Sequence, residues 1–235
     1  MLIKNKDYRI VSAEEFDKYF DESHEELKGP KYCYVNDRSV DDYRDCTCIM
    51  FIDGNGDPEA YAAVDPASVI GSVLKDKDSH KHEFLLNILF VAFQYGGKTL
   101  DCYKDDKSTL PYNYADAGFI PVCRIHFDRT QVDGTWCEEA GTPDVVFMFF
   151  MDEDIDYDSY REKVLTDKYP RFLEYDYIPY VEELNDLFPD RDHEDVYAFA
   201  QYVRDYVSGR WKELRNDHEG CETGFVKYVV ENELK

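Results

Sequence analysis

Closely spaced acids and amides form the first group of side chains with evident chemistry, in the DGNGD segment at residues 53–57. Oxygen ligands at such spacing bind calcium in EF-hand loops, which also need a bidentate acid at the twelfth position and a helix on each side. Counted from Asp53, the twelfth residue is Val64, and both flanks have the apolar character of strands. The segment therefore favours a hairpin turn over a metal site.

Histidines and cysteines offer the other candidate ligands. His80 and His82 alternate instead of following the i, i+4 spacing of two ligands on one helical face, and no third ligand is near in the sequence, so we predict no metal site. The seven cysteines include Cys46 and Cys48, which would share one face of a strand, but no C-x-x-C pair. With no signal peptide and no apolar run of membrane-spanning length, we expect reduced thiols and a cytoplasmic protein.

Charge restricts the class of partner. The 235 residues carry a formal net charge of −24, and 43% of them are apolar, which is enough for a globular core. Acids outnumber bases both before and after residue 152, so the charge is not confined to a detachable tail. This acidic protein should not bind nucleic acid directly or an anionic membrane, and its field favours a small-molecule amine or a basic protein or peptide. The alternative is that the charge serves solubility alone.

The central stretch from Ser68 to Asp128 is expected to position the candidate residues. Gly96 and Gly97 would end its apolar helix, because glycine adopts the left-handed C-cap conformation without strain. A strand, a crossover helix and a parallel strand form one right-handed βαβ unit. In order, the predicted elements are strand Val69–Leu74, polar loop Lys75–His82, buried helix Glu83–Gln94, strand Lys98–Tyr103, a short helix in LPYNYADAGF, and strand Ile120–Phe127.

The flanking sequence adds elements on both sides of this crossover. Ser12 with Glu15 has capping-box spacing and predicts a helix start. We predict a domain at residues 1–152 and a helical C-terminal extension at 153–235. The predicted elements are strand Asp7–Val11, a helix to about Leu27, a turn at Val40–Tyr43, hairpin strands Cys46–Ile52 and Ala60–Val64, strand Val145–Met151, and helical segments at Tyr160–Leu165, Ile178–Leu187, His193–Leu214 and Gly224–Leu234.

This order of elements resembles the GCN5-related N-acetyltransferase (GNAT) fold. The segment Asn113–Ile125, NYADAGFIPVCRI, is similar to the family's closing part, in which a tyrosine-bearing helix ends in Gly-Phe before a strand. The resemblance covers about residues 7–151 and predicts an α/β (α+β) fold with a mixed sheet and a central βαβ crossover. LDCY and GFIPVCRIHFD also resemble GNAT-like proteins of phage and prophage origin.

The resemblance implies acetyl-CoA as cofactor. In the family, the strand before the long helix pairs through its backbone with the pantetheine arm, and the loop that follows binds the pyrophosphate with the pattern [QR]-x-x-G-x-[GA]. Here Lys77, His80 and His82 stand at the three pattern positions, so neither glycine is present. The implied cofactor-binding residues are Ile70, Ser72, Val73, Leu74, Lys77, His80, Lys81, His82 and Ser108.

The resemblance also implies catalytic roles. Tyr114, four residues before Gly118, matches the family's general acid, which protonates the departing thiolate. Asp101 and Asp76 are the candidate general bases for the incoming amine, and the sequence does not choose between them. Lys107 or Ser108 stands where the family often has an asparagine ahead of the short helix.

Two functions follow from these features. The first is direct transfer of an acetyl group to a cationic amine or basic peptide. The second is a non-catalytic acidic interaction protein with a degenerate cofactor loop; in one version of this hypothesis its acidic surface imitates nucleic acid. The tail helices would pack on their own domain, pair in a homodimer or cover the acceptor cleft.

Overall fold

The computed structural model describes residues 8–27, 29–35, 38–75, 82–104, 110–131, 136–152, 154–166 and 178–217. Its class is mixed α/β with antiparallel sheets, which confirms the predicted fold class. The strands are β1 Tyr8–Val11, β2 Thr47–Ile52, β3 Pro58–Val64, β4 Ile70–Lys75, β5 Thr99–Lys104, β6 Phe119–Ile125 and β7 Asp144–Phe150. The helices are α1 Ala13–Glu25, α2 Pro30–Cys33, α3 Val40–Tyr43, α4 His82–Gln94, α5 Leu110–Asp116, α6 Tyr157–Leu165 and α7 Val196–Asp217.

The chain folds into two compact units that alternate along the sequence. The first unit comprises residues 1–99 and 129–141, and the second comprises residues 100–128 and 142–235. The predicted boundary at residue 152 falls within the second unit, and the division into domain and extension stays a prediction.

A four-stranded sheet in the order β1-β2-β3-β4 forms the first unit, and each of its neighbouring pairs is antiparallel. The side chains of α1 that carry its apolar face, Phe16 and Phe20, are fully buried against Tyr43 of α3 and Tyr61 of β3. Burying aromatic side chains removes a large apolar area from water, and edge-to-face ring contacts add to that gain. This cluster fixes α1 on one face of the sheet.

Local capping sets the ends of these elements. The Ser12 side chain accepts a hydrogen bond from the backbone N–H of Glu15 at 3.2 Å, at the predicted start of α1. Between β2 and β3, the Asp53 carboxylate accepts hydrogen bonds from the backbone N–H groups of Asn55 and Asp57 at 2.8 and 2.9 Å. The DGNGD segment is therefore the predicted hairpin turn.

Helix α4 is apolar on nearly every side and lies in the first unit. Its buried residues include Leu86, Ile88 and Leu89, and it packs on β3 and β4. After α4, Ser68 C=O accepts hydrogen bonds from the backbone N–H of Lys98 and Thr99, and Val69 forms a parallel bridge with Thr99. The predicted parallel relationship across the helix is confirmed at this point.

The second unit contains the three-stranded sheet β5-β7-β6. Gly118, with φ +94°, ends the turn after α5, and its C=O accepts a hydrogen bond from Met151 N–H at 3.1 Å. Helix α7 packs on β6 and β7, with Trp211 Nε1 donating to Met151 C=O at 3.1 Å. Helix α7 therefore packs on strands of the unit to which it belongs, while a homodimer and a cover over the acceptor cleft stay predictions.

The rest of the tail agrees in part with the sequence pattern. Helix α6 and helix α7 lie where helical spacing predicts them, whereas the segment predicted at Ile178–Leu187 forms a 3₁₀ helix, Val181–Leu187. The predicted helix Gly224–Leu234 lies outside the described residues. In the part of the chain that the structure describes, no helix is both long and apolar enough to cross a membrane.

Candidate functional site

Strand β4 carries a β-bulge at its centre. Leu74 pairs with Tyr61 and Gly71 pairs with Ala63, so two β4 residues, Ser72 and Val73, oppose the single intervening residue of β3. Ser72 has φ +50°, a left-handed conformation that costs energy in a residue other than glycine. A bulge of this kind bends its strand and increases the local twist, and bulges are frequent beside active sites.

Side chains from distant parts of the chain hold the bulge in place. Ser72 Oγ lies 2.9 Å from the hydroxyl oxygen of Tyr43, which is buried, and burial raises the pKa of Tyr43. The Arg38 guanidinium lies over Gly71, where an added Cβ would be 3.0 Å from Arg38 Nη2. The sequence analysis missed Arg38, Tyr43 and the bulge, although a glycine inside a strand pattern is a signal for one.

The outer edge of β4 is the feature that a cofactor could use. Because β4 is the last strand of the β1-β2-β3-β4 sheet, it pairs with β3 on only one edge within that sheet. A strand so placed presents a row of N–H and C=O groups to an added extended chain. Of the predicted contact residues, Ile70 and Leu74 are buried, whereas Ser72 and Val73 are half-buried.

The first unit also contains the start of α4, the predicted pyrophosphate end of the site. Helix α4 begins at His82 and runs for 13 residues, so its positive dipole end follows β4 along the chain. The predicted contact residues Lys77, His80, Lys81 and Ser108, and the alternative base Asp76, lie outside the described residues.

The second unit holds the predicted catalytic residues, Tyr114 and Asp101. Tyr114 lies on α5 with 7% of its surface exposed, and its ring packs edge-on against Phe119 at a centroid distance of 6.0 Å. Burial, followed by the nearby Cys102 and Asp101, raises the pKa of Tyr114. The hydroxyl therefore keeps its proton at neutral pH and has the state that a proton donor requires.

Asp101 lies on β5 and is half-buried. Its neighbour Cys102 is buried, and the Cys102 thiol donates to Met148 Sδ at 3.9 Å. Because successive residues of a strand point to opposite faces, Asp101 points away from that sulfur contact. The structure thus brings Asp101 and Tyr114 into one unit, within electrostatic range of each other.

A cavity of about 280 Å³ lies in the first unit, between α1 and the β2–β3 hairpin. Its walls combine carboxylates with tyrosine rings, a lining suited to an organic cation. The lining residues are Tyr19, Glu22, Ser23, Glu26, Leu27, Asp57, Pro58 and Tyr61.

No protein-family model and no curated protein matches the chain. Among solved structures, it is similar to an IAA acetyltransferase from Bacillus cereus, at 11% identity over 62% of this chain and 99% of that chain, with a TM-score of 0.44. It is also similar to a GNAT superfamily phosphinothricin acetyltransferase from Sinorhizobium meliloti in complex with AcCoA, at 13% identity over 61% and 86%, with a TM-score of 0.39.

A third similar structure is a spermidine N-acetyltransferase chimera that includes Vibrio cholerae sequence, at 10% identity over 61% of this chain and 93% of that chain, with a TM-score of 0.41. Identities and TM-scores this low carry no inference about the activity of this chain.

Proposed function

We propose that this protein is an acetyl-CoA-dependent N-acetyltransferase-like protein that acts on a cationic amine or a basic peptide by direct transfer. The observation that carries the proposal is the bulged outer edge of β4, followed along the chain by the N-terminal end of α4. An edge strand suits the amides of a pantetheine arm, and a helix N-terminus suits a pyrophosphate.

The cofactor would lie along β4 with its arm against Ile70, Ser72, Val73 and Leu74. The bulge supports this fit, because the bend at Ser72 changes the direction in which the neighbouring N–H and C=O groups point. At the other end, the cationic side chains of the loop before α4 would offset the absent glycines by supplying charge-assisted contacts to phosphate oxygens. That role falls to Lys77, His80 and Lys81 of the loop and to His82 at the start of α4, with Ser108 as a further contact.

Bound acetyl-CoA would supply a thioester whose acetyl group passes to the amine nitrogen. Tyr114 holds the proton that the departing sulfur needs, because its raised pKa keeps the phenol neutral. Asp101 is the base that would take the proton from the incoming ammonium group, with Asp76 as the alternative. Each residue thus handles one proton: Tyr114 donates it from its phenol oxygen, and Asp101 accepts it at a carboxylate oxygen.

The acceptor class rests on charge. The net charge of −24 attracts cations, and the cavity lined by Glu22, Glu26 and Asp57 adds a local concentration of carboxylates beside Tyr19 and Tyr61. An alkylammonium group gains from both carboxylate and ring contacts.

Calorimetry and thermal shift with acetyl-CoA test the proposal directly. We expect heat of binding and a raised midpoint of thermal unfolding, since a ligand that binds only the native state stabilises it. S-acetylpantetheine and 3′,5′-ADP, tested separately, should each bind more weakly than the whole cofactor and compete with it. No heat and no shift at ~1 mM acetyl-CoA, a concentration that reveals even millimolar affinity, would refute the proposal.

A second candidate is a non-catalytic acidic interaction protein, and the histidines at both glycine positions of the loop pattern favour it. It predicts no acetyl-CoA binding but salt-sensitive binding to a basic protein, as expected for a surface that imitates nucleic acid. We also propose that the protein has a phage or prophage origin and that it forms a homodimer. A cytoplasmic location is part of the same proposal.

A further inference from the structure

Two cysteines that are distant in sequence meet in the first unit. The backbone N–H of Cys137 donates a hydrogen bond to Cys33 Sγ at 3.0 Å, and neither cysteine forms a disulfide in the structure. This contact joins the main chain of one cysteine to the sulfur of the other, and a disulfide needs such close approach because it spans roughly 4.4–6.8 Å between Cα atoms.

The contact lies within an ordered pairing of two segments. On one side of it, Tyr34 packs against Trp136 with ring centroids 6.2 Å apart. On the other side, a Cβ added at Gly29 would lie 3.2 Å from Glu139 Oε2. Across these contacts the residue number falls from 34 to 29 in the first segment while it rises from 136 to 139 in the second. Residues 29–34 and 136–141 therefore run antiparallel. The cysteine contact lies between the Tyr34–Trp136 contact and the Gly29–Glu139 contact.

Each segment is also tied to its surroundings. His24 Nε2 lies 2.8 Å from Tyr32 C=O, and the two rings stack at 4.2 Å, which joins the first segment to α1. Trp136 Nε1 donates to Gly141 C=O at 2.9 Å, which closes the second segment on itself. The two sulfur-bearing residues are therefore held together by the fold on both sides.

We propose that Cys33 and Cys137 form a redox modification site, at which a peroxide converts the two thiols into a disulfide that fastens residues 136–141 to α2. Cys137 is half-buried and Cys33 is 7% exposed, so Cys137 meets the oxidant first. The Cys137 thiolate attacks one peroxide oxygen; the S–O bond forms as the O–O bond breaks, and the leaving oxygen takes a proton to become water.

Cys33 completes the reaction. Its sulfur attacks the sulfenic sulfur of Cys137; the S–S bond forms, the S–O bond breaks, and the departing hydroxide takes the Cys33 thiol proton to become the second water. Two electrons pass from the two sulfurs to the peroxide, so the balance needs no other reactant.

The test uses the full chain, reduced and then treated with hydrogen peroxide. Remaining thiols are alkylated, the protein is digested without reductant, and the peptides are identified by mass spectrometry. We expect a cross-linked peptide that joins Cys33 to Cys137 and disappears on reduction with dithiothreitol. C33S and C137S should both abolish it, whereas the matched control C46S should leave its yield unchanged.

Hydrogen exchange supplies the second measurement. Oxidation should slow exchange at residues 136–141 in the parent and in C46S but not in C137S, whose half-buried position makes it the variant least disturbing to folding. Recovery of both cysteines as alkylated thiols while other cysteines oxidise would overturn the proposal. Faster hydrogen exchange at residues 136–141 in the cross-linked protein would also overturn it. That result would mean that the disulfide forms only after these residues separate from α2.

Discussion

Burial keeps the phenol of Tyr114, the proposed proton donor, in its neutral form. Desolvation favours the neutral phenol, and the negative charge of Asp101 acts in the same direction. The same surroundings hold the proton on the phenol more tightly, which makes Tyr114 a weaker acid than a free tyrosine. Its neighbour on α5, Tyr112, is 50% exposed and provides a natural comparison.

Replacing Tyr114 by phenylalanine should lower kcat by ~100- to 10,000-fold, the usual contribution of a general acid, with little change in acetyl-CoA affinity. A free tyrosine has a pKa of about 10, and burial raises that of Tyr114, so any high-pH loss of activity due to its deprotonation should begin above about pH 10. Steady-state rates across pH measure both effects. Y112F is the control, and equal rates for Y114F and Y112F would remove Tyr114 from the mechanism.

The cationic loop before α4 permits a second prediction at the residue scale. Lys81→Ala should weaken acetyl-CoA binding about tenfold, or ~1.4 kcal/mol, because a charged contact to phosphate is lost. High salt should reduce the difference between the variant and the parent, since ions screen exposed charges. Calorimetry at low and high salt measures the affinity. Lys98→Ala is the control, because Lys98 lies outside the predicted loop. An unchanged affinity in Lys81→Ala would place the pyrophosphate elsewhere.

Most elements follow from local sequence, whereas the shape of β4 does not. Alternation and apolar runs predicted the strands and α4 to within a few residues, because the hydrophobic periodicity that defines them is local. The bulge at Ser72 depends on Tyr43, 29 positions earlier in the chain. Such a contact leaves no periodic trace in the sequence, so the candidate cofactor strand was predicted as a strand but not as a bent one.

Gly97 lies close to both Ile70 of β4 and Ala92 of α4, so a substitution there tests whether the position of β4 affects cofactor binding. A Cβ at Gly97 would lie 2.6 Å from Ile70 Cγ1 and 3.1 Å from Ala92 C=O, so Gly97→Ala forces β4 or α4 to move. We expect a loss of about 1–3 kcal/mol in the free energy of unfolding, together with weaker acetyl-CoA binding, because Ile70 is displaced. Chemical denaturation and calorimetry measure the two effects.

Gly54→Ala is the matched control for this variant, since nothing lies within 4 Å of a Cβ at that position. Its stability and its affinity for acetyl-CoA should equal those of the parent. A Gly97→Ala protein that is destabilised but binds acetyl-CoA normally would separate β4 from the cofactor site.

At the scale of the whole molecule, composition and pattern placed a boundary at residue 152 because strand-like runs stop there and helical spacing begins. The division at residue 152 stays a prediction, although in the structure residues 142–235 and residues 100–128 belong to one compact unit. The reason is physical: α7 buries Val203 and Val207 in the unit that contains β6 and β7, and the Cys123 thiol donates to Ala200 C=O at 3.7 Å. A helix that completes a core cannot be distinguished by its sequence from one that forms an appendage.

Truncation after residue 152 distinguishes these two possibilities. Without α7, the apolar side chains of β6 and β7 that it covers would face water, so we expect the shortened chain to lose its cooperative thermal transition and to bind a dye specific for exposed apolar surface. In the full chain, Val203→Ala should lower the free energy of unfolding by about 2 kcal/mol, because Val203 is 0% exposed. Leu165→Ala should lower it far less, because Leu165 is 53% exposed. Cooperative melting of the 1–152 chain, combined with a neutral Val203→Ala, would make residues 153–235 a true extension and restore the boundary that the sequence predicts.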